Sequence, residues 1–366
     1  MAVGMGFGRF AFTGVYPIMV SDGVFSMHDG TLAASANYAG YLLGALLATR
    51  VRPETSPRLC LWALAGTVIF LGALTWVTAP WLIIMIRGLA GGVSALAMVA
   101  ASLWLLQHRG HSRGAPMLYA GVGVGIALSS EVLAAGLACG LHSQGLWLAL
   151  ALAALALGMV AMPSLRIPPS AESHAASVPQ TEMHEGTAFS ARCLIALYGL
   201  AGFGYIVTAT YLPLFVKNAL GTVDPIQVWA LFGLGAIPSC FIWHALHLRL
   251  GSRVALFLNL VLQAIGVILP VISPTPIGYL GSALIVGGTF MGTATISMLS
   301  ARRIAHTTRS SILAAMTASF GLGQIVGPFV ASALYASTQS FSASLLAAGS
   351  ALGIAALLCI DLTKRP

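Results

Sequence analysis

The sequence has 366 residues, of which 58% are hydrophobic and only 7% are charged, and its formal net charge is +8. A soluble domain carries roughly 25% charged residues, so the composition excludes a water-soluble globular protein. The five cysteines show no paired spacing, which argues against a disulfide framework or a CxxC metal site. The chain is therefore predicted to be a polytopic membrane protein.

Apolar runs of about 20 residues, the length that crosses a bilayer as a helix, recur along the whole chain. Cutting them at charged and proline-rich breaks gives twelve predicted spans: 2–20, 31–49, 58–78, 81–106, 115–138, 143–163, 191–215, 225–246, 252–272, 276–300, 310–336 and 341–362. The first span is not expected to be a signal peptide, because it lacks a basic leader and Arg9 interrupts it. The predicted fold is an all-α integral membrane protein with twelve transmembrane helices.

One long polar segment, 164–190, separates the first six spans from the last six. It is rich in Pro, Ser and Glu and holds few residues that could be buried, which is typical of a flexible linker. The predicted organisation is an N-terminal six-helix bundle over 1–163, a cytoplasmic linker over 164–190 and a C-terminal six-helix bundle over 191–366.

The positions of the 17 Lys and Arg residues predict the orientation in the membrane. One set of connections, together with the C-terminal tail, holds nearly all of them, whereas the opposite set holds Lys217 alone. The positive-inside rule places the richer side in the cytoplasm. Both termini are therefore expected to be cytoplasmic, and the positive net charge reflects topology rather than an affinity for nucleic acid.

The two sets of six spans share a repeated pattern. Gly-Phe-Gly at 6–8 with Pro17 recurs at 202–204 with Pro213, at an offset of 196 residues. The same offset relates glycines in spans 4 and 10 and in spans 5 and 11: Gly91 and Gly92 to Gly287 and Gly288, and Gly125 to Gly321. Two halves in the same orientation imply a pseudo-two-fold axis along the membrane normal, with a transporter's substrate site between the halves.

Three motif positions resemble the major facilitator superfamily. The segment 87–91 (Arg-Gly-Leu-Ala-Gly) resembles its RxxxG motif, whose Arg is associated with energy coupling. The loop motif GxxxDRxGRR is largely lost at 49–53, but a remnant, Arg-Leu-Gly-Ser-Arg, stands at 249–253. The antiporter motif GxxxGPxxGG is represented at 121–125 by glycines without Gly-Pro. The resemblance implies the major facilitator fold of two six-helix halves and a monomer, and it leaves import and export both open.

Further motifs resemble one bacterial branch of that superfamily, the YbfB/YjiJ type. They are Gly-Phe-Gly-Arg-Phe at 6–10 with Pro17, Ala-Asn-Tyr at 36–38, Gly-Tyr-Leu-Leu-Gly at 40–44, and Phe-Gly-Leu-Gly-Gln at 320–324 with Gly-Pro at 327–328. The resemblance implies a multi-pass protein of a bacterial inner (cytoplasmic) membrane. It does not name the cargo.

Arg9 is one of three ionisable residues deep within the predicted spans. It lies about 12 Å along span 1, at about 1.5 Å per residue. Thr13 and Tyr16 follow at i+4 and i+7, so the three residues are predicted to share one helical face. A buried guanidinium binds oxyanions through two donors, which favours a role in binding a substrate carboxylate. A structural ion pair, or an arginine that snorkels to the inner surface, is the alternative.

Arg87 and Glu131 are the other two ionisable residues within spans. Both lie about 22 residues from the loop near 110, so they are expected at a similar depth toward the outer leaflet. We expect a proton-coupling pair, in which Glu131 takes a proton when Arg87 moves away, because a nearby Arg lowers a carboxyl pKa and burial raises it. A permanent salt bridge, or a Glu131 at the outer interface, is the alternative.

Neutral polar residues within the spans are candidates for lining a substrate cavity. Asn37 and Tyr41 share a face of span 2, and Tyr205 and Thr208 share a face of span 7, while Gln324 interrupts span 11. Such residues also hydrogen-bond their own backbone or hold helices together. Together with Arg9, Thr13 and Tyr16 they form the predicted substrate-binding set.

These features predict a secondary active transporter that moves a small organic solute by alternating access and is coupled to protons. Two buried Arg residues against one Glu favour an anionic or zwitterionic metabolite. An exporter of drugs or amphipathic metabolites and an uncoupled facilitator are the alternatives. An enzyme is disfavoured because the spans hold no HExxH, no Ser-His-Asp candidate and no clustered acids. No cofactor, metal or nucleic acid is expected, and the expected partners are the substrate, protons and lipid.

Overall fold

The computed structural model describes residues 1–111, 114–165, 190–219, 224–307 and 312–360. Nearly all of these residues are helical, and no strand occurs among them. Eight of the helices are long and apolar enough to cross a membrane by length and composition, with Pro225–Ile272 counted as one. Most of the predicted linker 164–190 lies outside the described residues.

Twelve helices follow one another in the described parts of the chain, as the sequence predicts. They are α1 (π-helical Ala2–Phe10 continued by Ala11–Ser21), α2 (Met27–Ala48), α3 (Ser56–Trp76), α4 (Pro80–Leu103 continued by π-helical Trp104–His108), α5 (Ala115–Ala138), α6 (Ser143–Leu165), α7 (Ala191–Ala219), α8 (225–250) and α9 (252–272) within Pro225–Ile272, α10 (Pro276–Thr307), α11 (Ile312–Thr338) and α12 (Ser342–Leu357). The predicted all-α fold with twelve transmembrane helices is confirmed.

Helices α8 and α9 are separated at Gly251, inside the otherwise continuous helical stretch Pro225–Ile272. The backbone there has φ 79° and ψ 166°, a conformation that residues with a side chain rarely adopt. The break falls inside the remnant motif at 249–253, which the sequence already places between two spans. A single glycine therefore divides one long apolar stretch into two membrane crossings.

Helix α2 begins four residues earlier than the predicted span. Ser26 accepts a hydrogen bond from the backbone N–H of Asp29 at 3.2 Å, and the Asp29 carboxylate accepts one from the Ser26 N–H at 3.1 Å. This reciprocal capping box satisfies two otherwise free donors. It fixes the start of the helix at Met27, within a stretch too polar for the hydropathy pattern to assign.

The internal repeat has a direct structural counterpart where α1 crosses α7. Thr13 Oγ1 donates to the carbonyl of Ala209 at 2.8 Å, and Lys217 Nζ donates to Ser21 Oγ. Both pairs join residues that are 196 positions apart. A residue beside a two-fold axis meets its own symmetry mate, so the axis relating the halves passes between α1 and α7.

Glycines allow the helices to approach closely within and between the halves. A Cβ on Gly91 would overlap the carbonyl of Asn37 at the α2/α4 crossing, and one on Gly287 would overlap the carbonyl of Phe232 at the equivalent α8/α10 crossing. Between the halves, a Cβ on Gly123 of α5 would lie 2.5 Å from the carbonyl oxygen of Gly233 on α8. Small residues at such positions let helices pack closely in membranes.

The outer surface of the bundle is apolar. Large apolar side chains are exposed along its flank, including Leu47, Val160 and Ile277. Trp76, 83% exposed, is the last residue of α3, and tryptophan is enriched at membrane interfaces. The flank thus has the chemistry of a surface that faces lipid.

Candidate functional site

Arg9 lies at the interface between the two halves, near the end of the π-helical part of α1. Its side chain is 4% exposed. Arg9 Nη2 donates to Gln324 Oε1 on α11 at 3.0 Å, so the contact joins the N-terminal half to the C-terminal half. The guanidinium carbon lies 4.0 Å from the ring centroid of Tyr41 and 5.1 Å from that of Tyr38. A buried cation is therefore held by one amide oxygen and two ring faces.

The hydrogen bonds of Arg9 are incomplete. Its Nε has no hydrogen-bond partner among the described residues, although it is fully buried. Nε and Nη2 form one edge of the guanidinium, the edge that binds both oxygens of a carboxylate. On this edge Nη2 donates to Gln324, whereas Nε, though buried, has no hydrogen-bond acceptor in the described part of the chain.

Gln324 connects Arg9 to a second helix of the C-terminal half. Its Nε2 donates to the hydroxyl oxygen of Tyr205 on α7. Gln324 is 1% exposed and Tyr205 is 4% exposed, so the chain Arg9–Gln324–Tyr205 is closed to solvent. Three residues of the predicted substrate-binding set are thus brought into one hydrogen-bonded row, with Tyr41 beside it.

Stacked aromatic rings form a wall beside this row. Phe320 stacks on Tyr198 at 4.3 Å between ring centroids and on Tyr205 at 5.7 Å, and Phe290 stacks on Tyr205 at 5.6 Å. Phe290 also lies 6.0 Å edge-on from Phe10, the neighbour of Arg9. The polar row therefore runs along a large apolar surface.

No acidic side chain approaches Arg9 or Arg87 within the described residues. Five of the nine acids are described, and each is exposed or half-buried: Asp22, Asp29, Glu54, Glu131 and Asp224. The two buried guanidiniums have no buried carboxylate to balance them in this part of the chain. The alternative of an Arg9 held in a structural ion pair is not supported by the described residues.

Arg87 supports the backbone that carries Arg9. It is 1% exposed, and its two Nη atoms donate to the carbonyl oxygens of Gly8 and Arg9, each at 3.0 Å. Its guanidinium carbon also lies 4.5 Å from the ring centroid of Phe12. The fork of one Arg on α4 thus holds two successive carbonyls where α1 changes from π- to α-helix.

Glu131 does not meet Arg87 in this structure. Its side chain is exposed, on the face of α5 that also carries Val124 and Leu128. Both Nη atoms of Arg87 are already engaged with carbonyl oxygens. The depth estimated from the sequence does not determine the direction in which a side chain leaves its helix, and here the two side chains leave in different directions.

Thr13 and Tyr16 follow Arg9 in sequence but make contacts of their own. Thr13 binds the carbonyl of Ala209, as described above. Tyr16 donates from its hydroxyl to the carbonyl of Met27 at 2.8 Å, and its ring stacks on Phe12 at 5.5 Å. Tyr16 is 0% exposed. In this conformation both residues hold helices together rather than line the row at Arg9.

Asn37 and Thr208 are buried, and neither makes a hydrogen bond to that row. Asn37 Nδ2 donates to the carbonyl oxygen of Arg87 at 2.8 Å, while its Oδ1 has no partner among the described residues. Thr208 Oγ1 likewise has no partner in the described part of the chain. Asn37 joins α2 to α4 behind the site, and Thr208 supplies an unused hydroxyl on α7.

Sequence reasoning missed Tyr38, Phe290 and Phe320 as neighbours of the site. Tyr38 precedes Tyr41 by three residues and Phe320 precedes Gln324 by four, so each is on the same helical face as a predicted residue. That spacing was an available signal. Phe290 had no comparable signal, because its position follows from the packing of α10 against α7 and α8.

The family of the chain follows from a comparison with protein-family models. A family described as "Uncharacterised MFS-type transporter YbfB" matches residues 1–360. The chain belongs to this family. The resemblance inferred from the motifs is thereby confirmed, and the protein is a multi-pass membrane transporter of the major facilitator superfamily. No curated protein matches the sequence.

Solved structures of the nucleoside transporter NupG share the fold. A point mutant of NupG aligns with a TM-score of 0.69 at 13% identity, covering 99% of both chains. Another NupG structure aligns with a TM-score of 0.67 at 15% identity, covering 97% of this chain and 96% of that one. At such identities the similarity shows the major facilitator architecture of two six-helix halves and nothing about the cargo.

Proposed function

We propose that this transporter carries a small organic anion or zwitterion by alternating access and binds its negative group at Arg9. The observation that carries the proposal is that Arg9 is a buried cation without a carboxylate partner among the described residues. It is a buried guanidinium between the halves, with one edge half-occupied and no buried carboxylate in the described part of the chain.

The electrostatic argument concerns the cost of burying a charge. An ionised side chain within a membrane protein is expensive unless it is paired or faces a cavity, and it commonly marks a substrate pathway. An arriving carboxylate would neutralise Arg9 and satisfy both Nε and Nη2. The substrate thus supplies the counter-ion that is missing among the described residues.

Alternating access is supported by the origin of the site residues. Arg9 and Tyr41 come from the N-terminal half, whereas Tyr205 and Gln324 come from the C-terminal half. We treat 1–163 and 191–366 as the two units that rock about the axis between α1 and α7. Any such movement changes the distance between Arg9 and Gln324, and this links binding to conformation.

The proposed setting is a bacterial inner membrane, with a monomer whose termini are both cytoplasmic. In that orientation the C-terminal ends of α1 and α7 lie on the periplasmic side. Lys217 Nζ donates there to Ser21 Oγ and, at 3.1 Å, to the carbonyl oxygen of Pro17. These contacts hold α1 and α7 together and close the periplasmic side.

Proton coupling is a separate part of the proposal, and Glu131 with Arg87 remains its predicted carrier. The pair is not formed in this conformation, so coupling would require Glu131 to approach Arg87 in another one. Glu131→Gln is expected to abolish the dependence of uptake on a proton gradient. Uptake by Glu131→Gln that still follows the gradient would exclude this residue, and wild-type uptake without a gradient would indicate a facilitator.

Uptake into proteoliposomes tests the main proposal. Wild type, Arg9→Met and Arg58→Met would be compared on organic acids, amino acids, their neutral amides and amphipathic cations. Arg58 is an exposed arginine at the start of α3 and serves as the matched control. We expect uptake of at least one acid or zwitterion, lost in Arg9→Met and retained in Arg58→Met. Acid uptake that survives Arg9→Met would refute the binding role.

The aromatic wall favours a second candidate, an exporter of amphipathic compounds. Tyr198, Phe320, Tyr205 and Phe290 offer ring faces to an apolar or cationic molecule. Amphipathic cations that move in wild type and equally in Arg9→Met would favour this candidate over the anion carrier.

A further inference from the structure

Hydrogen-bond donors and acceptors determine which way the Gln324 amide is turned in the row Arg9–Gln324–Tyr205. Gln324 presents its oxygen to Arg9 and its nitrogen to Tyr205. The reversed amide would place an NH₂ group against the guanidinium, two donors facing each other. The amide oxygen is therefore directed at the cation, as a carboxylate oxygen would be.

The Gln324 amide accepts a hydrogen bond from only one of the two donors on this edge of the Arg9 guanidinium. Nη2 donates to Gln324 Oε1, while Nε, on the same edge, is buried without a partner among the described residues. A carboxylate has a second oxygen for Nε, whereas an amide does not. The edge thus has the geometry of a carboxylate site in which one of the two oxygen positions is occupied.

We propose that Gln324 occupies the place of the substrate's carboxylate in the empty carrier and is displaced when that carboxylate binds. This inference rests on the proposed function. It makes Gln324 the residue by which the carrier selects anions that present two oxygens to Arg9. Displacement also releases the link between α1 and α11 and frees Gln324 Nε2 and the Tyr205 hydroxyl to face the substrate. A substrate with a neutral amide binds less favourably than a carboxylate, because Arg9 would only exchange the amide oxygen of Gln324 for the amide oxygen of the substrate.

A ligand-free test uses thermal unfolding of the purified full chain in detergent. The variants are Gln324→Glu, Gln324→Met, Arg9→Met and the double variant Arg9→Met/Gln324→Glu. Gln227→Glu makes the same exchange at an exposed position at the start of α8 and is the control. We expect Gln324→Glu to raise Tm in the wild-type background, because its carboxylate can accept from both Nε and Nη2, and to lower Tm when Arg9 is Met.

The Tm shift caused by Gln324→Glu is compared between the wild-type and the Arg9→Met backgrounds, and the difference between the two shifts measures whether a carboxylate at position 324 interacts with Arg9. Equal shifts in the two backgrounds would show that a carboxylate at position 324 gains nothing from Arg9, which would overturn it. Gln227→Glu is expected to shift Tm by the same amount in both backgrounds, because Gln227 is exposed and makes no contact with Arg9.

Acetate provides a second readout, since Gln324→Ala leaves room for a small carboxylate beside Arg9. Sodium acetate should raise the Tm of this variant more than acetamide, or sodium chloride at equal ionic strength, and the effect should vanish with Arg9→Met. An acetate effect no greater than that of sodium chloride would contradict the inference.

Transport separates failure of this inference from failure of the proposed function. Gln324→Glu should lower carboxylate uptake about 10- to 100-fold relative to Gln324→Met, the range expected when a charge-assisted hydrogen bond must be displaced. Loss of uptake in Arg9→Met with full uptake in Gln324→Glu would refute the role of Gln324 alone. Carboxylate uptake that is unaffected by Arg9→Met would refute the proposed function and, with it, the displacement of Gln324 by a substrate carboxylate.

Discussion

Arg87→Lys tests whether α4 holds the Arg9 segment in place. The guanidinium fork of Arg87 reaches two carbonyl oxygens at 3.0 Å each, those of Gly8 and Arg9. A lysine ammonium keeps the charge but lacks the planar fork, so at least one of the two bonds is lost. A hydrogen bond to a charged group contributes about 1.5–3 kcal/mol, and we expect the free energy of unfolding to fall by about that amount.

The assay is thermal unfolding in detergent together with binding of a transported acid. Arg58→Lys is the control, because Arg58 is exposed. Arg87→Lys should lower Tm, and it should weaken acid binding because the backbone of Arg9 loses a support. Arg87→Met removes the buried charge together with its desolvation cost, so it should destabilise less than Arg87→Lys. A Tm and an affinity equal to wild type in Arg87→Lys would refute the reasoning.

Three further predictions concern packing, the end of the bundle at Ser21, and pH. Gly123→Ala should destabilise by about 1–3 kcal/mol, because its Cβ would lie 2.5 Å from the Gly233 carbonyl oxygen, whereas Gly72→Ala, with open space around it, should not lower Tm. Lys217→Met removes the donor to Ser21 and Pro17, and labelling of a cysteine introduced at the neighbouring half-buried Val20 should become faster than in the otherwise unchanged background; an unchanged rate would exclude a closing role. Burial of Asp22 tends to raise its carboxyl pKa, but hydrogen bonds from Ser143 and His142 outweigh it and hold the pKa below the ordinary 3.8. Stability from this group is therefore present above pH 3.8 and lost as the pH falls through the lowered pKa, so the Tm difference between wild type and Asp22→Asn should shrink in that range; a difference that stays constant would contradict the assignment.

The membrane fold and the repeat could be predicted from the sequence because each depends on patterns that are local or periodic. Hydropathy determines the spans, and the 196-residue offset reappears in the contact of Thr13 with Ala209. Hydropathy does not predict the end of a helix where polar residues continue the helix beyond the apolar run. Met27 begins α2 because of a capping box rather than because of hydropathy.

The candidate site was predicted in part. Arg9, Tyr41, Tyr205 and Gln324 converge, and the sequence singled out all four. Thr13 and Tyr16 follow Arg9 at α-helical spacing within Ala11–Ser21, but a shared helical face does not give side chains the same partners at different depths, and Thr13 contacts Ala209 while Tyr16 contacts Met27.

The expected pairing of Arg87 with Glu131 shows a second limit of sequence reasoning. Counting residues along a helix gives depth, but the direction of a side chain depends on how neighbouring helices pack. Arg87 faces the carbonyls of α1, whereas Glu131 faces away from the bundle. The aromatic wall escaped prediction for the same reason, since Phe290 meets Tyr205 only through the packing of α10 on α7.

The central claim is that a substrate anion binds directly at Arg9. The most direct measurement is equilibrium binding of the best-transported acid to purified protein, compared among wild type, Arg9→Lys, Arg9→Met and Arg58→Met. We expect Arg9→Met to weaken binding at least about tenfold, the equivalent of 1.4 kcal/mol, with Arg9→Lys intermediate and Arg58→Met equal to wild type. Binding of the acid with unchanged affinity in Arg9→Met would contradict the account.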